Sequence, residues 1–265
     1  MATTPGLTEV VLYDTLVNYL ISMARLVEGA MNRALDAIVS FESECTAGLP
    51  GEVFLLEPRI NEMEIVIDEH AVRLLRRGSF TEDETRLIVA ALKITNDLER
   101  IGDIAVNIAE RVISLREMPQ AQTPEELAPM AEAVRSMVSR SLGALIFRNA
   151  ELAAQVLECD DVVDQYRDRI FEHLLQRITQ DVNRVTPDMQ FVLATRHLER
   201  IADHATNIAE DIIFWVRGLD VRHGRGLTLL PEQQQDVVVR RSSDVTDNSS
   251  ALHSGVTPSC ETQRV

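Results

Sequence analysis

The stretch DLERIGDIAVNIAE at residues 97–110 returns one hundred residues later as HLERIADHATNIAE at 197–210. The windows 98–110 and 198–210 agree at ten of thirteen positions. Solenoid repeats have units of about 20–50 residues, so a period this long means two copies of a larger unit fused in tandem. Placed on a helix, Ile94, Leu98, Ile101, Ala105, Ile108 and Val112 recur at steps of four and three, the spacing of an apolar seam. Leu198, Ile201, Ala205, Ile208 and Ile212 repeat that seam in the second copy.

A weaker echo lies upstream at an offset of 103. There Glu57, Ile60, Asn61, Met63, Ile67, Glu69 and His70 match Asp160, Val163, Asp164, Tyr166, Ile170, Glu172 and His173. Helical periodicity runs from about residue 7 to 217, interrupted at Gly48-Leu-Pro-Gly51, Gly78-Ser79, Met118-Pro119 to Pro124, Cys159-Asp160, Thr186-Pro187 and Gly218. Ser79 before Glu82 or Thr81 before Glu84, Thr123 and Thr186 offer N-caps. Six helices follow: 7–46, 52–77, 81–117, 124–157, 160–182 and 187–217. The expected architecture is all-α, a tandem pair of three-helix bundles. Residues 1–118 form the first, 119–218 the second, and 219–265 a disordered polar tail with six acids and five bases.

Composition agrees with long helices. Hydrophobic residues make up 45% of the chain but aromatics only 4%, so the core is built from Leu, Ile, Val, Ala and Met. A net charge of −16 repels phosphate backbones and argues against nucleic acid as a partner. The sole lysine is Lys93. Cys45, Cys159 and Cys260 lack metal-ligand or disulfide spacing and read as reduced thiols in a cytoplasmic protein. The start MATTPGLTEV has no secretory pattern, and every apolar run is broken before the roughly 18–20 residues of a membrane span. A soluble protein is expected.

A second line runs along each repeated helix. Glu99, Asp103, Asn107 and Glu110, and then Glu199, Asp203, Asn207 and Glu210, recur by four and three almost opposite the seam. This face is expected to meet water or a groove rim. Carboxylates one turn apart repel by a few tenths of a kcal/mol, and a hard cation between them removes that repulsion. Glu57, Asn61, Glu64 and Asp68 form a similar row, as do Asp160, Asp164 and Asp168. A solvated face balanced by Arg100 or Arg200 is the plain alternative. Yet the row persists where the two halves have otherwise diverged, which points to a metal or a partner. His197 and His204 occur only in the second copy and suit surface or interhelical roles better than ligation. His70 and His173 read as half-buried core residues. No glycine-rich phosphate loop or serine elbow appears.

The run RLIVAALKITNDLERIGDIAVNIAER (86–111) closely resembles the signature of the PhoU family, and HLERIADHATNIAEDI (197–212) its second repeat. The likeness covers about residues 10–217. It implies two pseudo-symmetric three-helix bundles and a non-enzymatic negative regulator of phosphate uptake and of the phosphate-starvation response. Such a regulator links the ATPase of a phosphate ABC transporter to a sensor histidine kinase. Matching the motifs makes Glu99, Asp103, Glu199 and Asp203 the candidate metal ligands, joined by Glu57, Asn61, Asp160 and Asp164. The cation is divalent or trivalent: iron, Mn, Mg, Zn or Ca. The protein is expected to be a homodimer that meets the membrane only through its partners. RRGSFTEDETR (76–86) departs from the proline-containing turn and Asp-Leu-Arg usual in the family at that point. The competing functions are a structural or cation-storage bundle and a di-iron carboxylate enzyme. The latter usually needs Glu-x-x-His on two helices, and this sequence has none.

Overall fold

In a computed structural model, residues 7–222 are described. Seven α-helices and two short 3-10 turns account for nearly all of them. They run α1 (Leu7–Val39), α2 (Leu49–Leu75), α3 (Glu82–Arg116), α4 (Leu127–Phe147), α5 (Ala150–Leu157), α6 (Asp160–Gln180) and α7 (Val185–Arg217). The expected six-helix order holds, with the fourth helix divided into α4 and α5. The division falls where Arg148 turns left-handed (φ 50°, ψ 47°) and the Asn149 side chain accepts from the backbone N–H groups of Glu151 and Leu152. An Asn cap after a left-handed residue ends one helix and starts the next without any glycine.

Other ends follow from local chemistry. Thr81 closes a capping box: its hydroxyl accepts from Glu84 N–H, while Glu84 accepts from Thr81 N–H at 2.7 Å. Gly218 ends α7 at φ 66°, a conformation that favours glycine. Helix α1 stops at Val39 rather than reaching residue 46, because a 3-10 turn capped by Ser43 occupies Glu44–Thr46. Thr186 caps nothing, since α7 starts at Val185 directly from a 3-10 turn. Thr123 is likewise passed over, and Glu126 precedes α4 without a side-chain cap. All but residues 219–222 of the expected polar tail lies outside the described residues.

α1, α2 and α3 pack on one another, while α4, α5 and α6 pack on α7; α3 also lies along α7. The predicted seam is the core. Ile94, Leu98, Ile101, Ala105, Ile108, Val112 and their second-copy counterparts are fully buried. Where α2 crosses α3 the helices approach closely, because a Cβ placed on Gly102 would meet Ile60 Cδ1 at 3.1 Å. The second copy carries Val163 and Ala202 at the matching positions, moving one methyl group from one helix to the other.

The pairing of α3 with α7 fixes how the copies face each other. Lys93 Nζ lies 3.1 Å from Asp211, the His204 ring 2.8 Å from Asp97, and Arg111 donates to Gln190. Asn207 Nδ2 also donates to Asp97. Partners advance along α3 as they retreat along α7, so the helices are antiparallel. The exchange is centred near Ile101 and Ile201, which are equivalent in the repeat. His204 therefore has the interhelical role expected of it. His197, the repeat counterpart of Asp97, is half-buried, with Nδ1 enclosed and without a hydrogen-bond partner among the described residues. Burial, followed by the charges of Arg200, Arg111 and Arg196, pushes its pKa down. His70 is a buried core residue edge-on to Tyr19, and half-buried His173 pairs with Glu126.

Candidate metal centre: two acidic grooves

Each copy forms a groove where its second helix lies against its repeated helix. In the first, Glu64 from α2, with Asp68 beside it on the same helix, faces Glu99 and Asp103 from α3. The acidic line does not point straight into water. The Glu99 side chain is only 17% exposed and Asp103 41%, so the line tilts from the groove floor to its rim. The cause is the α2–α3 approach at Ile60 and Gly102, which sinks the first turn of the motif beneath α2.

Electrostatics in this groove are strained. Burial and then the charge of Asp103 raise the pKa of Glu99. Burial and then Asp68 raise that of Glu64. Arg100 is the counter-charge, half-exposed and loosely paired, 3.6 Å from Glu99 and 3.9 Å from Asp103. An exposed pair this loose contributes roughly 0–1 kcal/mol. Earlier along α2, Asn61 Nδ2 donates to Glu57 Oε1, a bond that uses neither Asn61 Oδ1 nor Glu57 Oε2.

The second groove gathers Asp160 and Asp164 from α6 with Glu199 and Asp203 from α7. Asp160 is raised by burial and then by Asp164. Asp203, partly open to solvent, is raised by burial and then by Asp160 and Glu199. One residue here had no place among the sequence-derived candidates. Arg167 Nη1 lies 2.7 Å from Asp164 and 2.6 Å from Glu199, and its Nη2 lies 2.9 Å from Asp168. The hydrogen bond to Glu199, then that to Asp168, raises the already high pKa of this guanidinium. The missed signal was present in the repeat itself: at the offset of 103, Arg167 falls where the first copy has Glu64.

The grooves therefore differ in what they can hold. The donor set of the first, all carboxylate oxygen, suits a hard cation, and its acids outweigh the one arginine beside them, since Glu64 and Glu99 stay raised despite Arg100. In the second, Arg167 already holds Asp164 and Glu199, two of the four candidate ligands, while Asp160 and Asp203 are raised by burial and by neighbouring acids. Among the described residues, no three His, Cys, Asp or Glu side chains converge closely enough to hold one ion without rearrangement. A cation in the first groove would have to draw Glu64, Glu99 and Asp103 together.

A family profile described as the PhoU domain matches residues 20–112 and again 127–212. The chain belongs to the PhoU family. A curated relative from Pseudomonas aeruginosa, named phosphate-specific transport system accessory protein PhoU homolog, is 36% identical over 83% of this chain and 89% of its own length. A relative of the same name from Pseudomonas putida is 36% identical over 84% of this chain and 85% of its own. The crystal structure of PhoU from P. aeruginosa superposes with a TM-score of 0.74 at 34% identity, covering 78% of this chain and 98% of that one. A PhoU structure from Streptococcus pneumoniae, at 23% identity, shares the fold with a TM-score of 0.71, covering 80% of this chain and 99% of that one. Both PhoU domains are thus present, and each brings its own acidic groove. Among the described residues no helix is long and apolar enough to cross a membrane.

Proposed function

We propose that the protein is a cytoplasmic, non-enzymatic regulator of phosphate transport, acting as a homodimeric adaptor. In this reading it restrains phosphate uptake and the starvation response by contacting the transporter ATPase and a sensor histidine kinase. One observation carries the proposal: both family domains, each with its acidic groove, occur in a chain whose relatives are named accessory proteins of the phosphate-specific transport system. The acidic faces suit basic segments of partner proteins, where charge complementarity sets association rate and selectivity.

We further propose that Glu64, Glu99 and Asp103 hold a hard divalent or trivalent cation, with Asp68 at the rim. When bound, the cation supplies positive charge that cancels the mutual repulsion of these carboxylates and ties α2 to α3. The carboxylates bind and orient; no proton or group is transferred.

The test is genetic. Deleting the gene should raise phosphate uptake and starvation-reporter expression in phosphate-replete cells, and the intact gene should restore both to their low level. Unchanged uptake and reporter output in the deletion strain overturn the regulator reading. Pull-down from replete cells tests the adaptor role separately, and recovery of neither ATPase nor kinase overturns it.

A further inference from the structure

We infer that Arg167 is a tethered cation that takes the place of a metal in the second groove, so that exchangeable metal is confined to the first. The inference rests, for the first groove, on the cation reading proposed above. For the second it rests on geometry alone.

Three carboxylates surround the Arg167 guanidinium. Asp164 and Glu199 share one nitrogen at 2.7 and 2.6 Å, and Asp168 takes another at 2.9 Å. These contacts join α6 to α7 just as a cation in the first groove would join α2 to α3. Arginine suits the task because its planar donors are fixed in position and its charge persists at every physiological pH. The matching position in the first copy is Glu64, and Phe171 stands where that copy has Asp68. The two copies have thus diverged in opposite senses at the same place. At these two positions one copy has the acids Glu64 and Asp68 and the other a cation and an aromatic ring, while Asp164 and Asp168, which bind that cation, stand where the first copy has Asn61 and Ile65. Arg167 arrives on the same helix as its partner Asp164, so it competes at the high effective concentration of a short tether, of millimolar order. A free divalent ion reaches these oxygens only by displacing a group that cannot diffuse away.

Purified protein stripped with chelator and titrated with Mn2+, followed by elemental analysis of the washed complex, tests this. The wild-type chain should retain Mn2+. Glu99→Gln with Asp103→Asn should remove it, and Glu199→Gln with Asp203→Asn should leave it in place. Arg167→Glu, which restores the acid of the first copy, should add at least one equivalent of Mn2+ per chain, and Arg167→Gln serves if that variant does not fold. Loss of wild-type Mn2+ in the second-groove pair overturns the inference, as does the absence of added Mn2+ in both Arg167 variants. A wild-type chain that binds no Mn2+, beside an Arg167→Glu variant that does, sinks the cation reading of the first groove while upholding the role of Arg167. In metal-free protein, the melting-temperature losses of Arg167→Gln and Glu199→Gln should fall well short of adding in the double variant. Full additivity overturns the tether.

Discussion

The contact of Ile60 with Gly102 invites a swap between the copies. Gly102→Ala places a methyl group 3.1 Å from Ile60 Cδ1 and 3.3 Å from Cγ2, tighter than ordinary packing. Alanine gains about 1 kcal/mol over glycine in a helix interior, but overpacking a close-packed core costs about 1–3 kcal/mol. The single variant should be neutral to destabilised by about 2 kcal/mol, combining those ranges. Ile60→Val alone removes Cδ1, the nearer of the two contacts, leaving Cγ2 at 3.3 Å to shift by a few tenths of an ångström, and costs about 0.5–1.5 kcal/mol through the gap it leaves. Together the changes install the Val163 and Ala202 arrangement of the second copy. The double variant should come within about 0.5 kcal/mol of wild type, giving a favourable coupling of about 2 kcal/mol at the middle of those ranges. Thermal unfolding followed by helical circular dichroism resolves this, since 1 kcal/mol moves the midpoint of a chain this size by roughly 2–4 °C. Additive effects, within about 0.3–0.5 kcal/mol, would mean that the α2–α3 approach is not set by these two side chains.

Burial of the Asp188 and Arg177 pair gives a larger effect. Asp188 is fully buried, 2.7 Å from Arg177, and burial outweighs that arginine to raise its pKa. Arg177→Ala should cost about 3–5 kcal/mol by stranding the carboxylate, measured by denaturant unfolding; a loss below about 1 kcal/mol contradicts the burial. Glu99 gives a pH dependence of known sign. Its folded pKa is raised above the ordinary 4.5, so ionisation opposes folding, and the stability it contributes below 4.5 is lost as pH rises through the folded value. Metal-free Glu99→Gln should therefore be more stable than wild type at neutral pH, the advantage shrinking as the medium is acidified; an advantage that grows with acid refutes the sign. Thr81→Ala should cost about 1 kcal/mol by opening the capping box at the start of α3, visible as a lower melting temperature.

How much of this was legible beforehand depended on range. The seam from Ile94 to Val112 was readable because helical spacing is a local property, and each of its members is buried. The capping box at Thr81 and the stop at Gly218 were readable for the same reason. The break at Arg148 was not, since an arginine in the left-handed region carries no sequence signature. The acidic rows were visible as rows, but their depth was not: Glu99 is half-sunk where α3 meets α2, a meeting that helical spacing within α3 does not reveal. Arg167 escaped notice because a basic residue on an acidic helix resembles ordinary surface balance until α7 brings Glu199 to it.

The α3–α7 pairing has a consequence for the autonomy of each half. Were two first halves to associate through the same helix, Lys93 would confront the Arg111 of its twin, and Asp97 would be buried against Ile104. Two second halves would set His197 against His204 and leave Asp211 facing Leu193. The pairs observed, Lys93 with Asp211 and Asp97 with His204, exist only when unlike halves meet. Duplication has become complementarity, and neither half remains a spare for the other.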